Sequence, residues 1–324
     1  MVTSSSVPLM MFLAVTATLS IVECSRNETY RAIVGHLTDI KSYPWLCSVI
    51  VSGNFVSACT IIQPTWVVLS ADNLNRKFPN SEKYFFQYQF DMRVVSGSVR
   101  RIQKEAIASQ VKTVLRIYLG NLTNVLNPND FSYALNPQSL TNIAYDGYGI
   151  AMGVSLLELG SPLKWSIYVS PAPFINMKTA ENMESKIRTF REHLEEKPLD
   201  QTPCVVVSFS KFTNSMVETE VAYVPIQACK EAYCIHDPAN CLVYPKAEYL
   251  MCFKSLQFVD LCPSDRGAAV YCENFDSNKS KQVVAILTTA INCGAKNLPC
   301  VYTSVEMVAR FFKRVARRDL EPGP

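Results

Sequence analysis

Short runs of apolar and β-branched residues, split by turn-formers, recur along this chain: Leu46 to Val51, Trp66 to Leu69, Val154 to Leu159, Cys204 to Phe209 and Gln282 to Thr288. None is long enough for a buried helix, and β-branched side chains pack best on a pleated surface, so the pattern predicts an all-β protein. Two segments differ. Thr179 to Glu196 is charged with spaced apolar residues, and Val305 to Arg317 is amphipathic and closes the chain; both predict helices. Asn121 to Gly149 is rich in Asn, Asp, Tyr and Pro without periodicity and predicts a long surface loop, usually a functional or mobile element. There is no internal repeat and no low-complexity tract.

The 324 residues suffice for one large domain or two small ones, and the hydrophobic fraction of 48% is that of a globular protein. A formal charge of +3 is too small to imply a nucleic-acid partner. Pro8 to Val22 is apolar and of signal-peptide length, too short for a membrane span, and Val22-Glu23-Cys24 before Ser25 offers small residues for cleavage. Residues 1–24 therefore read as a signal peptide, no later stretch reads as a membrane span, and the protein is expected to be secreted. Sequons at Asn27, Asn121 and Asn278 agree with export and mark expected glycosylation sites. Twelve cysteines fit an oxidising compartment. Metal binding is the rival reading, weighed down by only three histidines and no Cys-x-x-Cys units, so neither a metal nor a cofactor is expected. Cys47 and Cys59 are symmetric about Gly53 in an expected hairpin and could face each other across it, and Cys234 with Cys241 could close a small loop.

Several motifs occur in the order and spacing of one family. Ile33-Val34-Gly35 is similar to an Ile-Val-Gly-Gly start, and Tyr43-Pro44-Trp45 follows it. Trp66 to Asn73 resembles Trp-Val-Leu-Thr-Ala-Ala-His-Cys, and Gly153 to Leu159 resembles Asp-Ile-Ala-Leu-Leu-Lys-Leu. Cys262 to Ala269 resembles Cys-Gln-Gly-Asp-Ser-Gly-Gly-Pro, and Pro299-Cys300-Val301-Tyr302-Thr303 resembles Pro-Gly-Val-Tyr-Thr. The ordered set resembles the chymotrypsin/trypsin-like serine proteases from about Ile33 to Arg317. The resemblance implies two six-stranded antiparallel β-barrels with a C-terminal helix, a short pro-segment at 25–32 and a homology domain at 33–320.

The same resemblance implies that the chemistry has gone. Family catalysis needs a hydroxyl nucleophile, an imidazole base and a carboxylate that orients it. The matching positions hold Arg266, Asp72 and Gly153, and Ser264 replaces the oxyanion-hole glycine. The only histidines, His36, His193 and His236, fall at none of these places and read as structural or surface residues. Disulfides Cys204–Cys272, Cys229–Cys252 and Cys262–Cys293 are implied, while Ser57 and Asn73 stand where the family has a disulfide beside its histidine. Cys300 is left over, either buried and inert or paired outside the domain. Asp260 matches the trypsin-type pocket carboxylate, but Ala290 and Cys300 replace pocket-wall glycines and narrow the pocket, and Arg266 is a candidate internal partner for Asp260. Asp265 matches the carboxylate that receives a new N-terminal amine, which Ile33 would supply; Arg31-Ala32 precedes it in place of an Arg-Ile bond.

The expectation is a secreted, inactive trypsin-like homologue that binds or regulates an extracellular protein, such as an active protease or a protease inhibitor. An active serine endopeptidase with a rearranged site is the alternative. A third reading, polyanion binding by Lys313, Arg314, Arg317 and Arg318, competes with a plain solvated helix face. The Asn121 to Gly149 loop and the 179–196 insertion are candidate contact surfaces or mere decoration.

Overall fold

The computed structural model describes residues 36–71, 91–100, 109–119, 153–173, 180–196, 204–210, 214–236, 250–256, 261–262, 265–273, 282–290 and 298–318. These hold thirteen strands and three helices. The first barrel is built from β2 (Leu46–Val51), β3 (Asn54–Gln63), β4 (Trp66–Ser70), β5 (Met92–Ser96), β6 (Gln110–Leu119) and β7 (Val154–Leu159), closed in the order β2-β3-β4-β7-β6-β5. β2 and β3 are joined by Ser52-Gly53, both at positive φ (49° and 80°), the geometry whose twist matches a two-residue hairpin.

The second barrel uses β8 (Cys204–Phe209), β9 (Met216–Val224), β10 (Leu250–Ser255), β11 (Ala269–Cys272), β12 (Gln282–Thr289) and β13 (Cys300–Ser304). Its order is β9-β10-β13-β12-β11-β8, and the β8–β9 pairing closes the ring; the short β1 (His36–Leu37) adds to β9. Among the described residues all strand pairings are antiparallel, and closure of each ring pairs both edges of its strands. Two six-stranded antiparallel barrels with a C-terminal helix are the expected architecture and are consistent with the trypsin-like fold.

The helices are α1 (Ala180–Glu196), α2 (Ile226–His236) and α3 (Val305–Arg318). α1 and α3 coincide with the expected helices to within a residue; α2 was not foreseen. α1 buries Phe190 and Leu194, four residues apart on one face. Its Glu195 carboxylate accepts hydrogen bonds from Tyr223 Oη and from the backbone N–H of Ile226, the first residue of α2. A carboxylate there satisfies an N–H with no intrahelical partner and favours the positive end of the helix.

The interior of the first barrel is one apolar cluster that includes Val49, Ile61, Val67, Leu69, Val94 and Leu157. The larger cluster fills the second barrel and continues onto the first through Tyr43, Leu46, Ala58, Ile62, Trp66 and Val68. Its continuity makes the seam between the barrels part of the core.

Candidate functional site

At the seam, the end of β4 meets the start of β7. Ala71 N–H donates to Gly153 O at 3.1 Å, and Ser70 pairs with Val154. Gly153 is buried. Asp72, the next residue after Ala71, lies outside the described residues. Ser70 Oγ then donates across the seam to Thr288 O on β12 at 3.2 Å.

From the second barrel the turn 265–268 presses against the first. Gly267 has φ +92°, and a Cβ there would collide with the Ala58 carbonyl oxygen, so both backbone conformation and space require glycine. Ser57 Oγ donates to Arg266 O at 2.7 Å and Thr60 Oγ1 to Gly267 O at 3.1 Å. Gly267 N–H donates to Leu287 O, and Leu287 N–H to Ala268 O. The turn is thus tied to β3 on one side and β12 on the other. Ser57, where the resemblance sees a lost disulfide, is fully buried and provides one of these ties.

Arg266 points inward. It is 1% exposed, and its Nη2 donates to Ala290 O at 2.9 Å. Burial away from water pushes its pKa down to about 10, with the neighbouring Cys300 sulfur acting in the opposite sense, so the side chain stays a cation at neutral pH. The position matched to a nucleophile therefore presents a buried guanidinium to residues matched to a pocket wall. Ala290 is fully buried, and Cys300 is half-buried rather than fully buried. Asp260 and Ser264 lie outside the described residues.

Asp265 is buried next to this turn. Its Oδ1 accepts from Ser208 Oγ at 3.0 Å and its Oδ2 from Cys262 N–H at 2.7 Å. The carboxylate matched to an activation pocket is thus engaged by residues of its own barrel. Ile33 lies outside the described residues.

Cys47–Cys59, Cys204–Cys272 and Cys229–Cys252 are disulfides. Cys47 and Cys59 are register partners across the β2–β3 hairpin, which is why they meet. Cys234 and Cys262 are also disulfide-bonded; Cys241 and Cys293, expected opposite them, lie outside the described residues, as do Asn27, Asn121, Asn278 and the Asn121 to Gly149 loop. Among the histidines, His36 lies on β1 and pairs in register with Glu218, His193 is exposed on α1, and His236 ends α2. Among the described residues no group of three or more His, Cys, Asp or Glu side chains is placed to hold a metal, and no helix is long and apolar enough to cross a membrane.

Sequence reasoning missed a polar cluster beside the seam. Tyr43 Oη donates to Glu218, and the Tyr43 ring meets Tyr271 tilted by 42° at 5.1 Å between centroids, with Trp45 edge-on to both. Burial, reinforced by the Glu218 carboxylate, raises the pKa of Tyr43 and Tyr271 well above the ordinary phenol value. Tyr43 and Glu218 are 175 residues apart, and nothing in their local patterns announces the contact.

Fold and site together define a class: a disulfide-containing double β-barrel, consistent with the trypsin-like fold, with a fully buried arginine in the turn that meets the inter-barrel seam. No protein-family model matches the chain.

Proposed function

We propose that this is a secreted, catalytically inactive homologue of the trypsin-like serine proteases, acting by binding or regulating an extracellular protein such as an active protease or a protease inhibitor. The observation that carries the reading is Arg266. A guanidinium has no nucleophilic oxygen and stays protonated, and here it is turned away from solvent. Gly153 has no side chain to orient a base, and Asp72 would be a weak base for a hydroxyl. The scaffold, with its disulfides and surface loops, is then the working part.

The test has two arms. Purified protein incubated with chromogenic peptides and a fluorophosphonate probe is expected to show neither turnover nor labelling; labelling at one defined residue would instead establish the alternative, an endopeptidase with a rearranged site. Surface-bound protein is then exposed to a panel of active trypsin-like proteases and their inhibitors. Saturable binding of a panel member supports the regulatory reading, and none across the panel counts against those two partner classes.

A further inference from the structure

Among the large hydrophobic side chains exposed in the described residues, Trp165 and Ile167 share one tight turn, at 46% and 65% exposure. Ser166 and Val169 close that turn by exchanging backbone hydrogen bonds, and Ser166 Oγ accepts from Tyr168 N–H. The first barrel anchors it on both sides. Leu163 and Val169 are buried in the barrel core, and Gln110 of β6 clamps Lys164 with both ends of its amide, at 2.8 Å to the N–H and 2.6 Å to the carbonyl oxygen. A fixed backbone therefore holds the apolar pair out towards water. Three lysines surround it. Lys164 is exposed in the turn, Lys112 Nζ donates to Ser161 Oγ at 3.2 Å, and Lys41 Nζ lies 5.5 Å from the centre of the Tyr168 ring. Segments 109–119 and 160–173 contain no Asp or Glu. Asp39, beside Lys41, sets one carboxylate against these three cations, and Glu158 on β7 is paired with Arg116.

We propose that this turn is a contact for an anionic lipid surface: Trp165 and Ile167 enter the headgroup layer while Lys41, Lys112 and Lys164 face its negative charge. An indole is apolar over its ring and polar at its N–H, which suits it to a membrane–water boundary. Lysines lay their stems along apolar surface and reach headgroups with their ammonium ends. The local excess of positive charge selects anionic over zwitterionic lipid. Five side chains on a tip also fall short of the roughly 20–30 residues a side that a stable protein interface uses. Insertion at a lipid interface needs only apolar area aided by electrostatic attraction. The contact uses none of the seam residues and is independent of the protein partner proposed above.

Trp165 is its own reporter, because of the three tryptophans Trp66 is buried and Trp45 is half-buried against the core. The purified protein is mixed with vesicles of phosphatidylcholine alone, or of phosphatidylcholine with phosphatidylserine. It should sediment only with the phosphatidylserine vesicles, with tryptophan emission shifted to the blue and quenched by brominated lipid. Trp165→Ala should bind about ten-fold more weakly and lose the quenching, with an unchanged circular dichroism spectrum. Lys41→Gln, Lys112→Gln and Lys164→Gln should each cost about five-fold in binding. No binding, equal binding to both kinds of vesicle, or binding without tryptophan quenching would overturn the proposal. So would binding that neither the tryptophan nor the lysine changes weaken, which would assign it to the basic end of α3. Self-association of the protein that Trp165→Ala abolishes would assign the turn to a second copy of the chain and overturn it as well.

Discussion

Ser57 is fully buried and donates to the Arg266 carbonyl, holding the turn that carries the arginine. Removing a buried donor leaves that acceptor with one partner fewer in a dry environment, at a typical cost of about 1–3 kcal/mol. Ser57→Ala is accordingly expected to lower the urea midpoint with an unchanged m-value; an unchanged midpoint would mean that the tie contributes nothing. The resemblance marks Ser57 only as one end of a missing disulfide. That its hydroxyl supports the neighbouring turn follows from register and burial, which a serine in a β-branched run does not advertise. The same holds for Arg266: its identity is plain in the sequence, its inward direction is not.

At the scale of elements, the inserted helix α1 is docked rather than free. Phe190 and Leu194 lie in the main core cluster, α1 packs against α3, and Glu195 ties it to β9 and to the start of α2. Leu194→Ala should cost about 2–5 kcal/mol in chemical denaturation. Glu192→Ala, on the exposed side of the same helix, should stay within about 0.5 kcal/mol. Equal, small effects at both positions would restore the reading of α1 as surface decoration. Strands were legible where β-branched runs are unbroken: β2, β7 and β8 begin and end where their apolar runs do. α2 escaped because it is short and weakly patterned, with Pro225 before it as its one local start signal. Its place is fixed from outside, by the Cys229–Cys252 disulfide to β10 and by Tyr233 Oη on Pro299 O.

For the whole molecule, the seam couples the two barrels. Ser57, Thr60 and Ser70 hydroxyls cross it, and Trp45 packs on Tyr271 of the other barrel. Unfolding followed by tryptophan fluorescence and by far-UV circular dichroism is expected to give coincident transitions; separate midpoints would mean that the barrels melt independently. The buried tyrosines make this joint core sensitive to alkali. Tyr43, Tyr223, Tyr271 and Tyr302 all have pKa values raised by burial, so the folded state keeps their protons while the unfolded chain releases them near pH 10. Their contribution is fully present below pH 10 and falls as pH climbs above it, by about 1.4 kcal/mol per pH unit for each tyrosine. Phenolate absorbance at 295 nm should therefore show these four ionising only together with unfolding. Early, reversible ionisation of all fifteen tyrosines would refute it.

By itself the sequence determined the secondary-structure class and the position of two helices, because these depend on periodicity along a local stretch. Only the tertiary structure decided that β8 pairs with β9 to close the second barrel, that Asp265 is engaged by Ser208 and Cys262, and that Arg266 turns inward to the Ala290 carbonyl. These contacts join residues brought together by barrel closure and by the seam. Their energies come from burial and from hydrogen bonds made in a dry interior, which no local pattern encodes.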